Sequence, residues 1–315
     1  MKYFLSFLLL TVLIGCKDPA PKKGSYIPQQ ATIGYPGYEA ISLFGDTLYS
    51  KEPSEELIVR YNQKKEAYEK NPDNIDNIIW YGRFTAYKGN YREAINIYTK
   101  GIEKYPNEPR LYRHRGHRYI TIREFEKATV DLTRAASLID GKENMVEEDG
   151  MPNAQNIPVS TLHGNIYYHL GLAYYLQQEM EASLKAYKKC LETSSNPDNV
   201  VSATHWIYMI YNRLGRPEAG KNYLRNIKVD MNVIENTAYY RACLFYKGEL
   251  ELNEIQDKNT DDAPSDSALK YALGNWLYYT SEKLKAEIVL KEIVAQDDWA
   301  SFGHIAAESD LAKLY

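Results

Sequence analysis

Two histidines, His114 and His117, stand one helical turn apart in this 315-residue chain. That spacing puts two imidazoles on one helix face, which is half of a divalent-metal site. No third His, Cys or carboxylate close in sequence completes the set, and His163, His169, His205 and His304 are scattered. The acidic stretch with Glu143, Glu147, Glu148 and Asp149 lacks the alternating ligands and closing glutamate of a calcium loop. There is no G-x-S-x-G, H-E-x-x-H, phosphate-binding loop or dinucleotide glycine pattern. Local motifs therefore support neither metal nor cofactor. A triad assembled from distant residues would leave no such trace, so an enzyme is unsupported rather than excluded.

The elements that must position these side chains repeat. Gly82 recurs as Gly116, Tyr91 as Phe125, Ala94 as Ala128 and Gly101 as Ala135, each pair 34 residues apart. Pro72 and Pro106 keep the same interval. A period of this length is that of a helix–turn–helix array, in which a single hairpin cannot bury its apolar face and stacking completes the core. Gly82 and Gly116 fall where helices cross, Tyr91, Tyr98 and Phe125 fill the remaining volume, and Gly89-Asn90 marks the turn. Pro106 cannot continue a helix and closes the unit.

These residues resemble the tetratricopeptide repeat pattern W-x2-L-G-x2-Y, A-x3-F, P. The first unit reads Ile78, Tyr81-Gly82, Thr85, Ala94, Tyr98 and Pro106, with Trp80 two places after the family tryptophan position. The second reads Tyr112, Arg115-Gly116, Tyr119, Ala128 and Leu132. A third resumes at Tyr167, Leu170-Gly171 and Tyr174, with Met180, Ser183 and Tyr187 in its second helix. The expected fold is all-α, a right-handed solenoid of helix–turn–helix repeats.

Residues 55–70 form an unpaired helix, with Leu57, Val59, Tyr61 and Tyr68 as its buried positions. Weaker repeats use Trp206, Met209 and Ile210; then residues 236–256; then residues 267–296 around Gly274 and Leu277. The last helix carries Glu308, Asp310 and Lys313, which suit a solvent-facing cap. Between the second and third repeats, residues 141–163 are inserted, and Pro152 and Pro158 prevent helix there. The plainer reading is a solvated loop; the sharper one is an arm covering part of the groove. Cys190 takes a small-residue place and reads as a buried hydrophobe; a bridge to Cys243 would have to cross non-adjacent repeats.

The N-terminus has its own logic. Met1-Lys2 precedes about a dozen apolar residues that end in Leu13-Ile14-Gly15-Cys16. The run is signal-peptide sized rather than membrane-spanning. The tetrapeptide resembles the bacterial lipoprotein box, which implies lipid on Cys16 and an envelope location, outer membrane foremost. Residues 1–15 are then a signal peptide, 16–53 a lipidated tether and arm, and 54–315 the repeat domain. Residues 38–49 are more apolar than the rest of the arm and are expected to pack on the first helix.

The resemblance also implies a concave groove lined by fixed positions of each first helix. These are Arg83 and Tyr87; Arg110, Arg113 and His117; Asn165, Tyr168 and Tyr175; and His205, Asn212 and Arg213. Arginine forks bind carboxylates in a bidentate way. The expected partner is thus an acidic extended segment or chain terminus of an envelope protein, unless the arginines pair with local acids. The net charge of -4 and the lack of a basic stripe point away from nucleic acid. The 29 tyrosines keep a surface-glycan-binding lipoprotein as the rival reading.

Overall fold

The computed structural model describes residues 37–256 and 263–314. The stretch expected to be a signal peptide, Cys16 and the first part of the expected arm lie outside these residues. A two-stranded antiparallel hairpin, β1 (Ala40–Ile41) and β2 (Thr47–Leu48), precedes α1 (Glu55–Lys70). Helix pairs follow: α2 (Ile75–Tyr87) with α3 (Tyr91–Lys104), and α4 (Pro109–Thr121) with α5 (Phe125–Ile139). After the insertion come α6 (Leu162–Leu176) with α7 (Met180–Glu192), and α8 (Pro197–Arg213) with α9 (Pro217–Leu224). The shorter pair α10 (Thr237–Lys247) and α11 (Leu252–Gln256) leads to α12 (Ala263–Tyr279) with α13 (Lys283–Val294), and α14 (Phe302–Leu314) ends the array.

Local chemistry sets the helix starts. Ser54, Asn74, Thr161 and Asn196 each accept a backbone N–H from the first turn that follows them. Pro109, Pro197 and Pro217 sit in first turns, where a missing N–H does no harm. Within a pair, the crossing point is repeated. A Cβ on Gly82 would strike Tyr98, on Gly116 Leu132, on Gly171 Tyr187, and on Gly274 it would press on Leu290. The offset is the same in all four pairs, so α12 and α13 are built as the early repeats are. The turn between paired helices also recurs. One left-handed residue makes it each time: Gly89, Arg123, Gln178, Gly215, Gly248 and Ser281. At the non-glycine positions this conformation costs about 1–2 kcal/mol, which the surrounding packing must outweigh.

From α1 to α11, and again from α12 to α14, each helix packs on its neighbours in sequence, and α2 also meets α4, α4 meets α6, and α8 meets α10. This is a stack of helix hairpins, the all-α repeat architecture that the 34-residue period predicts. Its largest core cluster joins Phe125, Leu172, Tyr187, Trp206, Tyr271 and Ile305. The Tyr187 and Trp206 rings stack with centroids 5.5 Å apart. The aromatic rings of this cluster are thus interior packing.

Three expectations need correction. Val59 is exposed and α1 buries no residue fully, because only one side of this helix meets α2. The β-hairpin does not pack on α1; Ala40 joins Ile95, Ile122 and Trp299 instead. Most consequential, α14 is no solvent-facing cap. Glu308 is 1% and Asp310 0% exposed, because α14 turns back against α6, α12 and α13 and brings its carboxylates to interior arginines. Arg123 donates to Glu308 and Arg213 to Asp310, each at 2.5 Å. Lys313 stays at the exposed end.

Candidate functional site

Residues 140–161, between α5 and α6, form a strap over the first repeats. Its ends are tied: Glu147 N donates to Ser160 O at 3.0 Å and Leu162 N to Met145 O at 2.9 Å. Between those ties the acidic run crosses the faces of α2, α4 and α6. The Glu147 carboxylate is the anchor. Its Oε2 accepts from Asn165 Nδ2 at 2.5 Å and lies 3.2 Å from Arg113 Nε. Its Oε1 lies 3.4 Å from His114 Nε2. The next residues are held by their backbone. Arg83 Nη1 donates to Glu148 O at 2.8 Å, and Arg60 Nη2 donates to Gly150 O at 2.5 Å. Gly150 lies against the Tyr87 ring so closely that a Cβ would collide with it.

Proton positions follow from these contacts. Arg113 Nη1 donates to His114 Nδ1 at 2.8 Å, so the imidazole proton sits on Nε2 and faces Glu147. Burial, reinforced by the Arg113 charge, pushes His114 down to about 3, so the ring is neutral near pH 7. Burial alone would raise the Glu147 pKa, but Arg113, His114 and Asn165 outweigh it and hold the carboxyl well below the usual carboxylate range. With His114 neutral, Arg113 supplies the balancing charge. The fit is incomplete: Arg113 Nε is buried and makes no aligned hydrogen bond. A buried donor left unmade costs about 1–3 kcal/mol.

Of the residues expected to line a groove, Arg83, Tyr87, Arg113 and Asn165 meet at this strap. The inserted segment is therefore the covering arm and not a solvated loop. Arg110 is apart from them. It pairs locally, with Glu108 at 2.8 Å and Asp76 at 2.7 Å. The others are covered by the chain's own C-terminal half. His117 packs on His169 and on Phe302 of α14, with centroids 4.3 and 5.2 Å away. Tyr168 shares hydrogen bonds with Tyr239 and Trp206. Tyr175 is core, its hydroxyl bonded to Tyr271 and Asn275. His205 is fully buried among Trp206, Tyr239 and Tyr246. Asn212 donates to Tyr208 O, and Arg213 is held by Asp310 and Asn275. The expectation of an open groove along all repeats is thus corrected: α10, α12 and α14 fill its second half.

What stays open is a cavity of about 650 Å³ whose wall includes Tyr87, His117, Tyr239, Trp299 and Phe302. The segment around Ser50–Ser54 closes one side and residues 297–303 another. Tyr87 is common to this cavity and to the strap contact. Behind Tyr91, also in the wall, lies the Arg118 guanidinium, 5.5 Å from that ring, with no hydrogen bond or ion pair among the described residues.

Residues 164–197 match the family model for the tetratricopeptide repeat. That stretch is α6 and α7, the third hairpin of the sequence reading. No curated relative matches the chain. Among solved structures, a tetratricopeptide repeat protein from Parabacteroides merdae ATCC 43184 is 17% identical, covering 79% of this chain and 92% of its own, with a TM-score of 0.46. YrrB, described as a TPR protein with an unusual peptide-binding site, is 15% identical over 78% of this chain and 95% of its own, with a TM-score of 0.42. MamA is 18% identical over 60% and 90%, with a TM-score of 0.42.

Sequence reasoning missed Arg60, His114 as a neutral donor, and Glu147 as the seated carboxylate. The signal for Glu147 was present as an acidic run opposite a set of arginines, but nothing local chose which acid is seated. Among the described residues, no group of three or more His, Cys, Asp or Glu side chains is arranged to hold a metal ion, at His114 and His117 or elsewhere. Cys190 and Cys243 are free and buried.

Proposed function

We propose that the chain is a lipid-anchored repeat scaffold of the bacterial cell envelope, docking a partner protein on the face built by Arg83, Tyr87, Arg113 and Asn165. The segment it takes is extended and acidic. One observation carries this reading: an extended acidic stretch already lies on that face, with a carboxylate on Arg113 and backbone carbonyls on Arg83 and Arg60. Charge-assisted donors of this kind are roughly twice as strong as neutral ones and fix the register of a bound chain. The glycan reading has less support, since Trp206, Tyr175, Tyr187 and Tyr271 are packed inside and offer no flat exposed platform.

The test is a photo-crosslinking residue placed at Trp80, beside Arg83, in intact cells. A discrete protein adduct that disappears in the Arg83→Glu, Arg113→Glu variant supports docking on this face. An adduct indifferent to charge reversal, or one on a glycan, overturns it. The anchor is tested separately by palmitate labelling. Label should be lost in Cys16→Ser and the protein should leave the membrane fraction; label that persists sinks the lipid assignment.

A further inference from the structure

Resting on that reading of the face as a peptide-docking surface, we infer that it recognises the form Glu-x-x-Gly within a chain, and that the strap occupies it in cis until a partner segment of that form displaces it. Each element of the form has its own contact. The glutamate side chain enters the niche of Arg113, His114 and Asn165. The carbonyl after it and the carbonyl of the glycine meet Arg83 and Arg60, and these bonds ask only for an extended backbone. The glycine is required by space, because any Cβ there would force the Tyr87 ring to move, and that ring is fixed by Arg83 Nε and by Phe84. Of the two intervening side chains, Glu148 is exposed, and Asp149 is drawn by the Arg83 charge without a hydrogen bond or ion pair among the described residues, so no direct contact fixes either identity. What is taken is an internal side-chain carboxylate and not a chain terminus.

Two features mark the strap as a displaceable occupant. The Arg113 Nε donor beneath it is buried without an aligned acceptor, so a better-placed carboxylate gains a bond that the strap does not make. The strap also leaves Met145, Val146, Met151 and Ile157 about half exposed; its buried apolar side chain, Val159, lies beyond the seated stretch, so residues 145–151 are held mainly by the contacts named above. Tethering sets an effective concentration near the millimolar range for a short flexible connection, which a partner has to overcome.

The probe is a labelled synthetic peptide of residues 144–152, titrated by fluorescence anisotropy against the full chain. The wild type is expected to bind it weakly. The Glu147→Gln, Gly150→Val variant, whose own strap is unseated, should bind at least tenfold more tightly. Peptides carrying the Glu147→Gln or the Gly150→Val change should lose this gain, as should the receptor with an added Arg113→Glu or, where that fails to fold, Asn165→Ala. Equal binding by wild type and unseated variant overturns occupation in cis while leaving the face a docking surface. Tight binding that ignores both peptide changes overturns the recognition form alone. No binding to any receptor overturns this inference together with the acidic-segment reading.

Discussion

Arg123 Nη2 stands 2.5 Å from Glu308 Oε2, joining the turn after α4 to the last helix across 185 residues. Both side chains are almost fully buried. The same guanidinium donates to Thr121 O and Trp299 O, and Glu308 accepts from Leu43 N. One ion pair therefore ties the N-terminal hairpin, the second repeat and the C-terminal helix. Removing one partner strands a buried charge, which costs about 3–5 kcal/mol. Arg123→Met is expected to lower stability by that amount in urea denaturation. The paired change Arg123→Met, Glu308→Leu should recover a good part of it, since replacing both charges with apolar groups is often neutral. A double variant as unstable as the sum of the singles would show that the two residues do not act together.

The shared helix crossing predicts a graded series. Gly116→Ala and Gly171→Ala place a methyl 2.7 Å from Leu132 and Tyr187, inside contact distance of buried side chains. Overpacking of this kind costs typically 1–3 kcal/mol. Gly274→Ala meets its nearest atom at 3.1 Å and should cost less. Denaturation midpoints that fail to follow this order would break the equivalence of the last pair with the early ones.

That equivalence was legible in the chain itself. Gly82, Gly116, Gly171 and Gly274 are spaced so that each meets one bulky side chain at a fixed distance along the next helix, and a period needs no tertiary knowledge. The return of α14 was not legible. Glu308 and Asp310 look like surface residues, and the partners that bury them, Arg123 and Arg213, are 185 and 97 residues away. The strap was half legible. Proline and acid composition exclude helix whether the segment is solvated or seated, so only the arginines opposite it hinted at seating. The same blindness made Tyr175 and His205 look like groove residues: their positions in the first helix of a repeat are right, but the later helices fold over them.

His205 gives a pH prediction. Burial pushes its pKa down to about 3, from an ordinary value near 6.5, and its Nε2 has no partner. His114 and His169 are likewise pushed down to about 3 by burial, with the Arg113 charge as the next cause. Between those limits the unfolded chain holds protons on these rings that the folded chain does not. The unfolded state then binds more protons, so stability falls as pH drops below about 6.5, by up to roughly 1.4 kcal/mol per pH unit for each ring. His205→Phe removes one contributor without emptying the site. Its stability should depend less steeply on pH between 6.5 and 5 than that of wild type, while peptide binding at the strap face is unchanged. An unaltered slope would mean that His205 is protonated in the fold.

Asp198 makes the fourth prediction. Its carboxylate is buried and accepts from the backbone N–H groups of Ile234, Glu235 and Asn236, at 2.7–3.2 Å. It thereby fixes the chain's entry into α10 against the start of α8. Backbone donors that lose such an acceptor in the interior cost about 1–3 kcal/mol each unless water replaces it. Asp198→Ala should destabilise by a few kcal/mol. It should also speed amide hydrogen exchange in residues 233–247 well before it does so in α2 to α5, because the anchored segment opens locally first. Asp198→Asn keeps one acceptor oxygen and should fall between the two. If exchange rises evenly along the whole chain, α10 is not anchored by this carboxylate, and the cover it places over His205 and Tyr168 has another origin.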